Sequence, residues 1–193
     1  MVDKDLPPFA TMTGSLLVAM PQMEDAHFQY SVIYITHHSP KDGTRGIVIN
    51  KPTNRITCQE ILEQLKMPVA DEYTFPPVLI GGPDHRLQGF ILHTPEVSYQ
   101  ETQKITDEVS LTTTQEILGE IALGHRPDKY LVAVGCASWA PSQMEEEIMG
   151  NIWLSVPANK EILFDTPYEQ KWEKAISLLG FSANQFAPQA GKA

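Results

Sequence analysis

Apolar residues fall in short blocks along this chain, some at strand spacing and some at helical spacing, with Pro, Gly and Asp between them. Residues 29–35 are rich in β-branched and aromatic side chains, and a second run at 46–50 follows a turn carrying Pro40, Asp42 and Gly43. That pattern predicts a β-hairpin. Thr57 and Glu60 then stand at capping-box spacing, and Ile61, Leu62 and Leu65 share one helical face before Pro68, which predicts a short amphipathic helix. Val78, Leu79 and Ile80 end in Gly81-Gly82-Pro83, and residues 89–93 form another apolar run. We read these two runs as strands paired around a tight glycine turn. A second capping box at Thr113 and Glu116 opens a helix through Ile117, Leu118 and Ile121 up to Gly124.

Tyr130-Leu131-Val132-Ala133-Val134 is a continuous apolar run and predicts an interior strand. It delivers the chain into a corner at 139–145, where Pro141 suits the first turn of a following helix. Residues 152–156 and 161–164 read as extended. Trp172, Ala175, Ile176 and Leu179 lie on one helical face before Gly180, and the tail from Ser182 is expected to fray. Hairpin-like neighbours without a βαβ rhythm favour antiparallel pairing and an α+β fold. With no internal repeat and no long linker, residues 1–193 read as a single domain.

Composition narrows the function classes. Hydrophobic content of 42% with 20% charged residues is that of a folded globular chain. The net charge of -10 opposes direct nucleic-acid binding, since phosphates are met by Lys and Arg. Lys41, Arg45, Lys51 and Arg55 face a single acid, Asp42, and form at most a small basic patch. The first residues are acidic, and no apolar run approaches membrane-spanning length, so the expectation is a cytoplasmic protein without membrane contact. Cys58 and Cys136 lack metal-like spacing and read as reduced thiols.

Several residue types invite chemistry, each beside a simpler reading. Cys136, between an apolar strand and a helix start, suits a nucleophile or redox switch with His93 as its base; a small buried hydrophobe is the simpler reading. Ser138 lacks the flanking glycines of a nucleophile elbow, because Cys136 and Ala140 stand there, and reads as a loop or capping hydroxyl. The six histidines show no ligand spacing, so no metal is expected, and Gly81-Gly82-Pro83 is no phosphate cradle, so no cofactor is expected either. Glu145-Glu146-Glu147 reads as a solvated first turn. Asn50 and Lys51 at a strand end suit an anion, or simply cap the next segment. Trp139 and Trp153 are a ligand platform or core aromatics. Asn50, His93, Trp139, Gln143 and Glu145 together make the candidate ligand-binding set.

Segments in one order carry a resemblance: Gly14-Ser15-Leu16-Leu17-Val18-Ala19-Met20-Pro21 with Phe28, Gly46-Ile47-Val48-Ile49-Asn50-Lys51-Pro52, Gly81-Gly82-Pro83, Phe90-Ile91-Leu92-His93, and the region between Trp139 and Trp153. The chain resembles the AlgH/YqgE family of bacterial proteins over about residues 13–180. The resemblance implies an α+β fold whose mixed, largely antiparallel branched sheet closes as a pseudo-barrel with flanking helices. It implies no established reaction. Members carry the label of transcriptional regulator, which identifies no DNA-reading element, so the expected role is regulatory, through an unknown protein or small-molecule partner; an enzyme or ligand-binding protein with a pocket near Asn50, His93 and Trp139 is the alternative. This sequence departs from the family's Gly-Tyr-Ala-Gly-Trp-Gly-Pro-Gly-Gln-Leu-Glu pattern at Cys136, Ser138, Ala140, Ser142 and Met144, and keeps Trp139, Pro141, Gln143 and Glu145. Serine and alanine in place of glycine imply a loop that needs less positive-φ freedom.

Overall fold

The computed structural model describes residues 12–68 and 73–180, and the tail from Ser182 lies outside them. Among the described residues nine strands make one curled, largely antiparallel sheet, a half-barrel with a few helices. They are β1 (Ser15–Ala19), β2 (Val32–Ser39), β3 (Gly43–Val48), β4 (Val78–Ile80), β5 (Asp84–His93), β6 (Gln103–Lys104), β7 (Ser110–Thr112), β8 (Tyr130–Trp139) and β9 (Trp153–Pro157). Their spatial order is β6-β7-β5-β8-β3-β2-β1-β9, with β4 branching off β8. The α+β expectation and the branched sheet implied by the resemblance are both met.

β8 is the spine. Its first half lies between β5, antiparallel, and β4, parallel, with Val132 opposite both Ile91 and Val78. Its last residues pair with β3, Trp139 opposite Thr44 and Ala137 opposite Gly46. The expected pairing of residues 78–80 with 89–93 is therefore corrected. β8 inserts between them, and a local glycine turn gives no information about a strand that arrives from residue 130.

Gly81-Gly82 is likewise a crossing point and not a simple turn. An added Cβ on Gly82, where φ is +153°, would sit 2.2 Å from the backbone carbonyl of Cys136. Only a residue without a side chain lets the two backbones meet that closely. Gly81 N–H donates to Val134 O, and Val48 N–H donates to Gly81 O, both at 2.8 Å. Beside the crossing, β5 steps out of register between Asp84 and Gly89. Residues 85–88 bulge away from the sheet and leave Leu87 fully exposed.

Four short helices cover the sheet: α1 (Cys58–Gln64), α2 (Glu116–Ala122), α3 (Gln143–Met149) and α4 (Lys171–Ser177). The Thr57–Glu60 capping box on α1 forms in both directions. The Thr113 box does not: α2 begins after Gln115, which makes no side-chain cap. Residues 161–164, expected extended, form a π-helical turn, Glu161–Asp165. The Lys171 ammonium holds that turn, donating to the carbonyls of Ile162 and Leu163 at 2.6 Å each.

Three apolar clusters result. One lies between the sheet and α4, around Leu16, Tyr34, Phe90 and Trp172. Another lies under α3, around Ile33, Trp139, Met144 and Trp153, and a third under α1 and α2, around Leu62, Ile91, Ile121 and Val132.

Candidate ligand-binding cleft

The structure distributes the sequence candidates over three places. His93 pairs with Tyr130 at the start of β8 and Trp139 ends the same strand. Nine residues at ~3.3 Å each put them at most about 30 Å apart, at opposite ends of a strand that bends at Gly135. His93 is fully buried, its Nδ1 on Thr94 O at 2.8 Å and its Nε2 on Thr112 Oγ1 at 2.9 Å, and burial lowers its pKa. Both ring nitrogens are engaged. Asn50 accepts from Val32 N–H and donates to Tyr30 O, each at 2.8 Å, so its amide fastens the turn that leads into β2.

Trp139 and Gln143 do come together at the corner between β8 and α3, but around a residue outside the candidate set, while Glu145 turns to His38. The Glu147 carboxylate accepts from the indole N–H groups of Trp139 at 2.9 Å and Trp153 at 2.8 Å, and from Gln143 Nε2 at 2.9 Å. Gln143 Oε1 accepts from Ala140 N–H at 3.0 Å. The two indoles meet edge to face in the core. Glu145 lies 3.6 Å from Nε2 of His38, whose side chain is wholly buried. Glu147 is thus an internal acceptor, and the reading of all three glutamates as a solvated turn is corrected. The available signal was the four-residue spacing from Gln143 to Glu147, which puts both on one helical face.

The corner's backbone also differs from expectation. Ser138 lies within β8, opposite Arg45. Ser142 adopts φ +64° despite its Cβ, so the replacement of glycine there has not removed the left-handed conformation. Pro141 precedes α3 instead of opening its first turn. Cys136 is fully buried on β8, and burial raises its pKa, partly opposed by Ser138 and Arg45. A thiol so placed is a poor thiolate source at neutral pH.

Cationic side chains gather elsewhere, in a cleft of ≈ 530 Å³ beside the glycine crossing. Residues 51–53 run antiparallel to β4: Ile80 N–H donates to Lys51 O at 2.9 Å and Thr53 N–H donates to Val78 O at 2.8 Å. This pairing aims Lys51 and Arg55 over a floor of Val48, Ile80 and Val134. His27 closes one side, and Arg86 approaches from the bulge of β5, where its Nε donates to Pro83 O at 2.9 Å. Lys51 Nζ donates to His27 O at 2.9 Å, and burial lowers its pKa while Asp25 pulls the other way. Among the twelve lining residues three are Lys or Arg and none is Asp or Glu. In a chain with 24 acids and 14 bases that segregation makes the cleft a local well for anions.

The profile of the AlgH-like family matches residues 16–184. The chain belongs to the AlgH-like family. It is 46% identical to a UPF0301 protein of Pasteurella multocida over 91% of this chain and 95% of that one. Identity to a UPF0301 protein of Proteus mirabilis is 40%, over 94% and 99% of the two chains. The solution structure of the AlgH protein from Pseudomonas aeruginosa superposes with a TM-score of 0.75 at 36% identity, covering 99% of this chain and all of that one. A Corynebacterium diphtheriae protein at 22% identity shares the fold, with a TM-score of 0.64 over 83% of each chain. The biochemical activity of the AlgH-like family is undetermined, and none of these names states a reaction.

Within this AlgH-like fold, sequence reasoning reached Lys51 and Arg55 through the local excess of basic residues. It missed His27 and Arg86. Each stands in a connecting segment, and only the register shift of β5 turns Arg86 toward Lys51. The described residues hold no cluster of three or more His, Cys, Asp or Glu arranged for a metal, and no helix long and apolar enough to cross a membrane.

Proposed function

We propose that this AlgH-like chain works as a cytoplasmic, non-enzymatic regulator that binds a small anionic ligand in the cleft of His27, Lys51, Arg55 and Arg86. The carrying observation is that three cations and, among the described residues, no carboxylate line one cleft, with Asp25 the one acid that acts on Lys51 from outside the lining. An anion entering it exchanges water for three positive groups over an apolar floor, where charge interactions are weakly screened. The cleft is a closed patch and not a stripe, which suits a small ligand better than a phosphate backbone.

The alternatives have less support. A pocket shared by Asn50, His93 and Trp139 would need free polar groups that converge, whereas Asn50 and His93 are bonded within the fold and His93 and Trp139 stand at opposite ends of β8. A redox switch at Cys136 would need a thiol that is exposed and acidic, and this one is buried with its pKa raised.

Calorimetric titration with phosphate and citrate at low and high salt tests the reading. Saturable binding that weakens with salt, and that falls more than about tenfold in the double variant Arg55→Gln/Arg86→Gln, is expected. Binding that is unchanged in that variant overturns it.

A further inference from the structure

Arg86 and Val134 line a second basin as well, so the two basins are neighbours. The second, of ≈ 220 Å³, lies between α1, α2 and the sheet, with Ile61, Leu65, Ile91 and Leu118 in its wall. The side chain of Leu87 stands at its edge. Among the described residues no Asp or Glu lines either basin. Ile80 and Leu87, exposed at 40% and 101%, are large apolar side chains that the fold leaves uncovered, and with Arg86 the first lines the cationic cleft and the second the apolar basin. Cations therefore sit at one end and an open apolar pocket at the other.

We propose that the ligand is an amphiphile, an acyl chain ending in a carboxylate or phosphate, with its head among Lys51, Arg55 and Arg86 and its chain along Ile61, Leu65 and Leu118. This rests on the reading of the cationic cleft as the ligand site and specifies its ligand class. Burial of methylenes against these side chains supplies affinity, and the cations fix the direction in which the chain enters. A nucleotide fits less well. Among the described residues no Phe, Tyr or Trp lines either basin, so none of them offers a base a stacking face.

The test uses the full chain and calorimetric titration with butanoate, hexanoate, octanoate, octyl phosphate, octanol and inorganic phosphate. Affinity for the carboxylates is expected to rise by about fourfold per added methylene until the apolar basin is full. Octanoate and octyl phosphate should both exceed octanol, and their ratio identifies the preferred head. Ile61→Gln, checked for folding by its thermal transition, should reduce the gain per methylene while leaving inorganic phosphate binding unchanged. Phosphate binding with no dependence on chain length overturns the amphiphile and leaves the anionic cleft standing. Octanol binding as tightly as octanoate overturns the amphiphile too, since the head is then unread. Absence of binding by every probe overturns both readings.

Discussion

The two polar centres of this molecule differ in how their charges are met. At the corner of β8 and α3, one half-buried carboxylate, Glu147, accepts from two buried indoles and one amide, so three of its roughly four acceptor sites are taken within the fold. In the cleft, three cations face water and each other across an apolar floor, with no carboxylate in the lining. The first arrangement gains by being complete and holds α3 to the sheet. The second lacks the counter-charge that an external ligand can bring. Retained residues such as Trp139 and Gln143 drew attention to the corner, but a polar group that already has its partners offers little to a ligand.

Breaking the element both regions share has the largest effect. Gly82→Ala forces a Cβ into the Cys136 carbonyl at a backbone angle that L-residues rarely adopt. It should cost about 3–5 kcal/mol in urea unfolding and remove anion binding along with stability. Glu147→Ala strands two indole N–H groups in the core and should cost about 3 kcal/mol, with Glu147→Gln retaining part of the loss. Anion affinity at a temperature where the variant stays folded should not change.

A buried cation sharpens the contrast. Lys171 is wholly enclosed and bonded to two carbonyls, and burial lowers its pKa from 10.5 to about 8, with Asp165 opposing. Below about 8 both folded and unfolded chains hold the proton. Between about 8 and 10.5 only the unfolded chain does, so this group makes stability rise with pH across that window, by on the order of 2–3 kcal/mol. Urea midpoints measured against pH for the wild type and Lys171→Met should differ by that slope. Equal slopes remove the claim. The smallest stability effect belongs to the cleft: Arg55→Gln/Arg86→Gln should move unfolding by less than about 0.5 kcal/mol, because no folded-state carboxylate loses a partner. A large destabilisation would make these arginines structural and erase the contrast.

What could be seen in the sequence follows how local each signal is. The Thr57 capping box, the hairpin through Asp42-Gly43 and the apolar strand from Tyr130 depend on neighbours within a few residues, and all three form. The partner of β4 depends on a strand some fifty residues further along, so a glycine turn gave the wrong pair. Ser15–Ala19 carries no polar alternation because β1 is buried throughout most of its length, and no strand was assigned there from pattern alone. Ile162 and Leu163 fit a strand equally well until Lys171 draws their carbonyls into a π-helical turn. Half of the cationic cleft was visible as Lys51 and Arg55. Arg86 joins them only through the bulge of β5, a tertiary feature that charge counting along the chain does not reveal.

The central claim is that the cationic cleft, and not the tryptophan corner, receives the ligand. Amide and indole chemical shifts recorded during titration with octanoate test it most directly. Saturable shifts are expected at His27, Lys51, Thr53, Arg55, Ile80 and Arg86, with the indole N–H signals of Trp139 and Trp153 unmoved. Shifts concentrated on those two indoles, with the cleft silent, would contradict it.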